Sequence, residues 1–300
     1  MGPLTRIARR PFALRLRLGV LSLAVALGAC GPTPTENPNL LDESVLAPAL
    51  LDDRARIVEY LAEFPEEQYE IVDVPQLGKF YLDDNPAWVK RFLRTGRIWE
   101  PKVQRVMARH AAPGTTALDI GAHIGSHTLA LARMVGPDGA VYAFEPQKKI
   151  FRELVKNLEL NGLHNVVPLR FAVGASHEVI EMSPTEGRDG LMQVGAGGDE
   201  AELRTLDSFG FRNVSLIKID VEGYELAVLQ GAVETIRAWH PAIVVEILAG
   251  EIYEQAPAEL RAHVEATREL FDQLGYELIR ISCEGGCDYL GLYTGDARPE

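Results

Sequence analysis

The tightest constraint on this chain is the stretch Ala117-Leu118-Asp119-Ile120-Gly121-Ala122-His123-Ile124-Gly125-Ser126-His127. Thr116 to Ile120 is a short apolar run that reads as a buried strand. Gly121 and Gly125 sit in the turn after it, and from Thr128 the apolar spacing becomes helical through Leu129, Leu131, Ala132 and Val135. Strand, glycine turn and helix form the opening half of a βαβ unit. The glycines let a ligand approach the backbone, and the helix start offers free N–H groups.

Glycine spacing narrows the ligand. A dinucleotide fingerprint is G-x-G-x-x-G, with the pyrophosphate on the helix N-terminus. Here the pattern is D-x-G-x-x-x-G, and the carboxylate of Asp119 at the strand end would repel a pyrophosphate. It suits a ligand with an amine or a positive centre, and S-adenosylmethionine carries both an ammonium and a sulfonium. The next strand, Ala140 to Phe144, ends in Glu145-Pro146. An acid at the end of the second strand, roughly 20 residues past the turn, is placed to bind a ribose diol. A nicotinamide oxidoreductase is disfavoured by the same glycine spacing.

The formal net charge is −13 and the acids form no single cluster. A chain this acidic lacks the basic footprint of sequence-independent nucleic-acid binding, so no nucleic-acid partner is expected. The N-terminus has the plan of a targeting segment. Arg6, Arg9, Arg10, Arg15 and Arg17 precede an apolar run from Leu18 to Ala29, with no acid before Cys30. That run is shorter than the roughly 20 residues needed to span a bilayer. Leu27-Gly28-Ala29-Cys30 resembles a bacterial lipobox, which implies cleavage before Cys30, a lipid anchor on its thiol and a cell-envelope location. Arg9-Arg10-Pro11-Phe12 loosely resembles a twin-arginine signal. A misread start on a cytoplasmic protein is the alternative.

The expected domains are therefore a signal over 1–29, a flexible Pro/Thr/Asn tether over 30–40, an extension of helices and a small strand pair over 41–112, and the main domain over 113–295. Within the extension, Leu41 to Phe64 reads as one or two helices and Glu70 to Val74 with Lys79 to Leu82 as a strand pair. A helix is expected from Asp83-Asp84-Asn85-Pro86 through Leu93, and another starting at Pro101 and running to His110. In the main domain, Lys148 to Leu160 reads as an amphipathic helix stopping at Asn161-Gly162, and Val166 to Val173 as one strand region. Residues 176–205 read as an insertion of short strands, with Gly195-Ala196-Gly197-Gly198 as a mobile loop. A helix follows from Glu225, a fifth strand spans Pro241 to Ile247, and a helix spans Pro257 to Leu274. Tyr276 to Ile281 and Tyr289 to Tyr293 close the chain as an antiparallel pair.

The second informative stretch is Ile217-Lys218-Ile219-Asp220-Val221-Glu222-Gly223-Tyr224-Glu225. Leu216 to Ile219 reads as a strand with Asp220 at its carboxyl end. Ligands of open α/β sheets bind beyond those ends, so Asp220 is expected in the same crevice as Asp119. Together with Leu118 to Gly125, Tyr142-Ala143-Phe144-Glu145-Pro146, Leu203-Arg204-Thr205-Leu206-Asp207, Trp99-Glu100-Pro101 and Leu274-Gly275-Tyr276, this string resembles the FkbM-type S-adenosylmethionine-dependent methyltransferases. The resemblance covers roughly residues 78–293, and the I-K-I-D-V-E-G-x-E string is its most specific part.

That resemblance implies an α/β fold, a Rossmann-like seven-stranded mostly parallel sheet of the class I methyltransferase type with one antiparallel strand, preceded by an N-terminal helical extension. It implies methyl transfer from S-adenosyl-L-methionine, most often to a hydroxyl of a sugar or other small molecule. Asp119, Gly121, His123 and Gly125 would line the methionine end of the cofactor, Glu145 would take the ribose hydroxyls, and Phe171 and Ala172 would lie at the adenine edge. The family often has Asn where this chain has His123. Asp220 and Glu222 would face the reacting methyl and the acceptor as catalytic residues. A carboxylate is needed there to take or orient the acceptor's proton. Capping of the next helix is the structural alternative for an acid at a strand end. Lys218 is expected to pair with either acid or touch substrate, Glu246 is a weaker candidate expected far from the cofactor, and Glu100 is not placed by the sequence. A lipid-anchored binding module that keeps the fold without catalysis stays open beside the enzyme.

Cys283-Glu284-Gly285-Gly286-Cys287 would close a small disulfide loop in an oxidising compartment. Two thiols do not complete a zinc site, and the histidines lack metal spacing, so no bound zinc is expected and no metal ligand is assigned; a magnesium ion at the Asp220 and Glu222 end stays open, though nothing requires it.

Overall fold

The computed structural model describes residues 64–184, 192–194, 198–283 and 287–295. The expected signal, the tether, the helices over 41–63 and the glycine loop at 195–197 lie outside the described residues. No helix among the described residues is long and apolar enough to cross a membrane.

Two strands open the described chain, β1 (Glu70–Val74) and β2 (Gly78–Leu82), paired antiparallel as expected. The helices α1 (Trp88–Leu93) and α2 (Pro101–His110) follow. Helix α1 starts later than its polar lead-in suggests, because the Asn85 side chain accepts from Ala87 N at 3.0 Å and holds residues 83–87 as a turn. The main domain contains β3 (Thr116–Ile120), α3 (Thr128–Val135), β4 (Ala140–Phe144), α4 (Lys148–Leu160) and β5 (Val166–Leu169). After a second, smaller sheet come β10 (Val214–Ile219), α5 (Glu225–Gln230), α6 (Val233–Trp239), β11 (Ala242–Ile247), α7 (Gly250–Gln255), α8 (Ala258–Gln273), β12 (Tyr276–Cys283) and β13 (Cys287–Tyr293).

The main sheet has seven strands in the order β12-β13-β11-β10-β3-β4-β5. Strands β11, β10, β3, β4 and β5 are mutually parallel, and β13 alone runs against them. The order reverses between β3 and β10, so the crevice beyond their carboxyl ends is where a ligand fits. Strands β3 and β4 are buried along their whole length, as expected where helices cover both faces. Alternate residues serve opposite layers. Ala117, Val141 and Ala143 pack with α2, α3 and α4, while Leu118, Tyr142 and Phe144 pack with α5, α6 and α8.

The run from Val166 to Val173 is not one strand. Only β5 joins the main sheet; the chain leaves at Arg170, and β6 (Phe171–Val173) pairs with β9 (Asp199–Arg204). With β7 (Glu178–Pro184) and β8 (Met192–Val194) they form a four-stranded sheet ordered β6-β9-β7-β8, so the expected insertion is a sheet of its own. The stretch after Glu225 is two helices rather than one. Gly231 lies against Gly174 so closely that a Cβ would sit 1.9 Å from its carbonyl oxygen, and the turn is fixed there.

The N-terminal hairpin is tied to α4 by side chains that satisfy its edge. Tyr81 N donates to Asn157 Oδ1 at 2.7 Å and Lys79 N to Asn161 Oδ1 at 2.9 Å. Beneath α1, the fully buried Lys90 lies 2.6 Å from Asp83 and 2.7 Å from the equally buried Glu153 of α4. Removing one partner of such a cluster leaves uncompensated buried charge, so α1 is held in one place on the main domain. Cys283 and Cys287 form a disulfide across the β12–β13 hairpin.

Candidate cofactor and acceptor site

The loop between β3 and α3 is shaped by three positive backbone angles, Gly121 at φ 78°, His123 at φ 49° and Gly125 at φ 93°. Gly121 and Ala122 both donate to the Phe144 carbonyl, at 3.0 and 2.9 Å, which folds the loop over the end of β4. A Cβ on Gly121 would lie 1.8 Å from the Asp220 carbonyl oxygen, so only glycine lets this loop meet the end of β10. Gly125 does different work: a Cβ there would sit 2.9 Å from Leu154 Cδ1, and the residue lets α3 pack against α4 rather than forming cavity wall.

A cavity of about 790 Å³ opens beyond these strand ends. Gly121, His123, Glu145, Phe171, Ala172, Asp220 and Glu222 all line it. Asp119 does not. It is fully buried one layer behind, where its Oδ2 accepts from Thr128 Oγ1 at 2.6 Å and its Oδ1 lies 3.5 Å from Lys218 Nζ.

Glu145 is only 3 % exposed. Its Oε2 accepts from His123 N at 3.0 Å and its Oε1 from Gln147 N at 2.9 Å. Burial outweighs these two bonds and pushes its carboxyl up to about 7. Each oxygen keeps a lone pair for a further donor, which is what a ribose diol needs. Phe144, Phe171 and Ala172 supply an apolar flank beside it. The cavity volume, the glycine cradle and this carboxylate together fit an adenosyl amino acid.

The other end of the cavity is a charged cluster. Lys218 is buried, with Nζ 3.2 Å from Asp220 Oδ2 and 3.0 Å from the Gly121 carbonyl. Burial opposes its charge, but Asp220 and Asp119 overcome this and raise its pKa. Burial likewise pushes Asp220 up, and Lys218 reverses the effect and holds it below the usual carboxylate range. Glu222 stands at the cavity mouth with φ 53°, a strained angle for a residue with a side chain. It is accessible there, yet the protein packed around it, then Asp220 and Glu225, push its carboxyl up to about 7. Glu246 of β11, expected far from the cofactor, belongs to the same cluster: its oxygens and those of Asp220 and Glu222 lie within 4.8 Å of one another. Burial and the two neighbouring acids push Glu246 up to about 9, and the proton it keeps is shared with Asp220. Asp220 does not cap the next helix; Glu225 does the local work, its Oε1 accepting from Gly223 N at 2.9 Å.

Several residues in or next to the cavity wall carried no clear signal in the sequence. Trp88 and Trp99 reach the cavity from the N-terminal region. Glu100, preceding α2, places Oε2 2.9 Å from Nε2 of the buried His127. Ile180 and Met182 of β7 complete the wall. The Trp99-Glu100-Pro101 string was visible, but nothing in it showed that Glu100 meets a histidine 27 residues on.

The family model described as the Methyltransferase FkbM domain matches residues 119–278. The chain belongs to this family, and its cofactor is S-adenosylmethionine. It is 28 % identical over 158 residues to the hexuronic acid methyltransferase AglP of Haloferax volcanii, covering 50 % of this chain and 63 % of that protein, so the match spans less than two thirds of the relative. It is 26 % identical over 216 residues to the methyltransferase sdnD of Sordaria araneosa, covering 59 % of this chain and 79 % of that protein. Among solved structures, an FkbM methyltransferase from Methylobacillus flagellatus KT aligns with a TM-score of 0.43 at 15 % identity, covering 80 % of this chain and 60 % of that one.

The proton held by Glu246 gives a stability prediction. A carboxyl raised from its ordinary 4.5 to about 9 stabilises the fold fully only below the lower value, and that contribution is lost as pH climbs through the upper one. Glu246→Gln keeps a neutral hydrogen-bonding group and escapes this loss. Its thermal midpoint should exceed that of the wild type by a growing margin between pH 5 and 9, by about 2–4 °C at the alkaline end. Parallel melting curves across that range would contradict the shared proton.

Proposed function

We propose that this protein is an S-adenosylmethionine-dependent O-methyltransferase whose acceptor is a hydroxyl of a sugar or a related small molecule. The observation that carries the reading is the carboxylate pair Asp220 and Glu222 on the cavity wall beside the cofactor loop. The sugar acceptor draws support from the Haloferax relative, named for a hexuronic acid.

Bound S-adenosylmethionine supplies an electrophilic methyl group on a sulfonium. Glu145 would hold the ribose hydroxyls, Phe171 and Ala172 would flank the adenine, and Gly121 and His123 would bring backbone to the methionine end. Asp119 and Gly125 act from behind the wall: Asp119 fixes the start of α3 and the Lys218 ammonium, and Gly125 sets the packing of α3. Much of the rate comes from holding the acceptor oxygen in line with the methyl group. Asp220, kept ionised by Lys218, accepts a hydrogen bond from the acceptor hydroxyl and orients it. Glu222, with a carboxyl near neutrality, is matched to receive the proton as the oxygen–methyl bond forms.

The same reading extends to location. We propose that the domain is tethered to a membrane through a lipid on Cys30, which the Leu27-Gly28-Ala29-Cys30 string supports. The Cys283–Cys287 disulfide supports it too, since disulfides persist in oxidising compartments. Mass spectrometry of the N-terminal peptide from the membrane fraction should find a lipidated Cys30 as first residue. An intact Met1 peptide in the soluble fraction would contradict the anchor.

The enzyme reading is tested by transfer of labelled methyl groups to a panel of glycosides at saturating cofactor. Saturation matters because Glu145 also titrates near 7. kcat/KM for the acceptor should fall about tenfold per pH unit below pH 7, as Glu222 takes a proton. Glu222→Gln should lower the rate at pH 8 by about 100-fold or more and abolish that limb. A chain that binds cofactor yet methylates no hydroxyl compound would favour the binding-module reading instead.

A further inference from the structure

His127 is a buried polar side chain with no role in the methyl-transfer scheme. It stands two residues past Gly125, immediately before α3, and forms part of the cavity wall. The residue is 3 % exposed. Its Nε2 lies 2.9 Å from Glu100 Oε2. A carboxylate oxygen only accepts, so the ring proton sits on Nε2 and Nδ1 carries a lone pair. Nδ1 is buried and has no hydrogen-bond partner among the described residues. An unpaired buried acceptor is costly, and a donor brought into the adjoining cavity by a ligand removes the cost.

The ring is held in place from two sides. Glu100 reaches it from the residue before α2, at a left-handed backbone angle of φ 45°, and precedes the matched residues 119–278. Strain of that kind persists only where the surroundings fix it. Gln104 of α2 ties the same two elements together, its Nε2 donating to the Trp99 and Ser126 carbonyls, each at 3.3 Å. On the other side, Thr128 Oγ1 donates to Asp119 at the end of β3. The residues flanking His127 are thus fixed from α2 and from β3. A purely structural bridge between α2 and α3 would account for the Nε2 contact but leaves the bare Nδ1 unexplained.

The charge around the ring chooses the donor. Glu100 touches it directly, and Asp220 and Asp288 lie close enough to interact with it through charge. The nearby Lys218 ammonium is engaged by Asp119 and Asp220. A carboxylate or phosphate would be repelled here, and a positively charged donor is attracted. An adenosyl amino acid carries such a donor in its α-ammonium. With Glu145 at the end of β4 taking the ribose, the glycine loop and the start of α3 are left to the amino acid, and His127 stands there.

We propose that His127 Nδ1 accepts a hydrogen bond from the α-ammonium of S-adenosylmethionine, with Glu100 orienting the ring. This rests on the cofactor assignment above and adds a side-chain contact to it, where Gly121 and His123 offer backbone. It also makes the cofactor site depend on Glu100, which lies outside the matched region and does not itself line the cavity. His127 is a cofactor-binding residue and Glu100 a positioning residue; neither takes part in bond making.

The test is calorimetric and needs no turnover. Two ligands are titrated into the full chain at pH 8: S-adenosylhomocysteine and its deaminated analogue, in which hydrogen replaces the amino group and the carboxylate is kept. The wild type should bind S-adenosylhomocysteine about tenfold or more tightly than the analogue, as a charge-assisted hydrogen bond implies. His127→Leu keeps the buried volume and removes the acceptor. It should weaken S-adenosylhomocysteine about tenfold, leave the analogue within about twofold of its wild-type affinity, and so erase the preference. His127→Asn returns a carbonyl oxygen near the place of Nδ1 and should restore most of it. Glu100→Ala should narrow the preference about threefold in the wild-type background and change nothing in His127→Leu. Equal affinity for the two ligands in the wild type, a preference that survives His127→Leu, or an equal loss of both ligands in that variant while it still melts cooperatively would each overturn the contact. A preference unmoved by Glu100→Ala overturns the positioning role, and where His127→Leu does not melt cooperatively this variant decides for the whole proposal. A folded wild type that binds no S-adenosylhomocysteine overturns the cofactor assignment itself, and the contact with it.

Discussion

The Lys218 ammonium holds the functional end of this fold together. It lines the crevice beyond β3 and β10, within reach of Asp119, Asp220 and the Gly121 carbonyl. Its register partner across the two strands is Asp119, so the contact follows from strand pairing. A buried lysine without acids would lose its proton, and buried acids without it would lose their charge. With all three present, the loop after β3 is clamped onto the end of β10, and Gly121 must be a glycine because the Asp220 carbonyl occupies the space a side chain would need. One ion cluster thus sets both the cofactor loop and the ionised state of Asp220.

The rest of the site carries a cost that the fold supports elsewhere. Glu145, Glu222, Glu246 and Asp288 all hold their protons more tightly than free carboxyls do, each chiefly because it is buried or crowded by protein. Asp288 reaches the cluster from β13, where Ser282 Oγ donates to it at 2.7 Å. His123 and Glu222 hold left-handed backbone angles in the same region. Such a concentration of strain and suppressed charge is typical of functional sites, where stability is traded for a prepared surface. The central strands of the sheet, with β3 and β4 buried along their whole length, supply the compensation.

The fold was largely legible because its signals are local. The apolar runs of β3, β4 and β10, the glycine turn and the helical spacing after Thr128 each lie within a dozen residues. The acids at the strand ends could be placed because a parallel sheet puts all carboxyl ends on one side. Less local features were hidden. The split of Val166–Val173 between two sheets turns on Arg170 alone, between halves that are equally apolar. Gly125 reads like a ligand glycine, and only the packing of Leu154 shows that it serves helix contact. Asp119 was rightly placed at the strand end, but its side chain turns behind the wall to Thr128 and Lys218. Trp88, Glu100 and His127 come together from separate elements, and no spacing rule announces them. The nearness of Glu246 to Asp220 depends on the register between β10 and β11, which no local pattern carries.

The central claim is that the crevice at the ends of β3 and β4 holds S-adenosylmethionine through the Glu145 carboxylate. Calorimetric titration of S-adenosylhomocysteine at pH 8, where Glu145 is ionised, tests it most directly in the wild type and in Glu145→Ala. The account predicts one-to-one saturable binding by the wild type and loss of that binding in a variant that still melts cooperatively. Unchanged binding in Glu145→Ala, or none in a folded wild type, would contradict it.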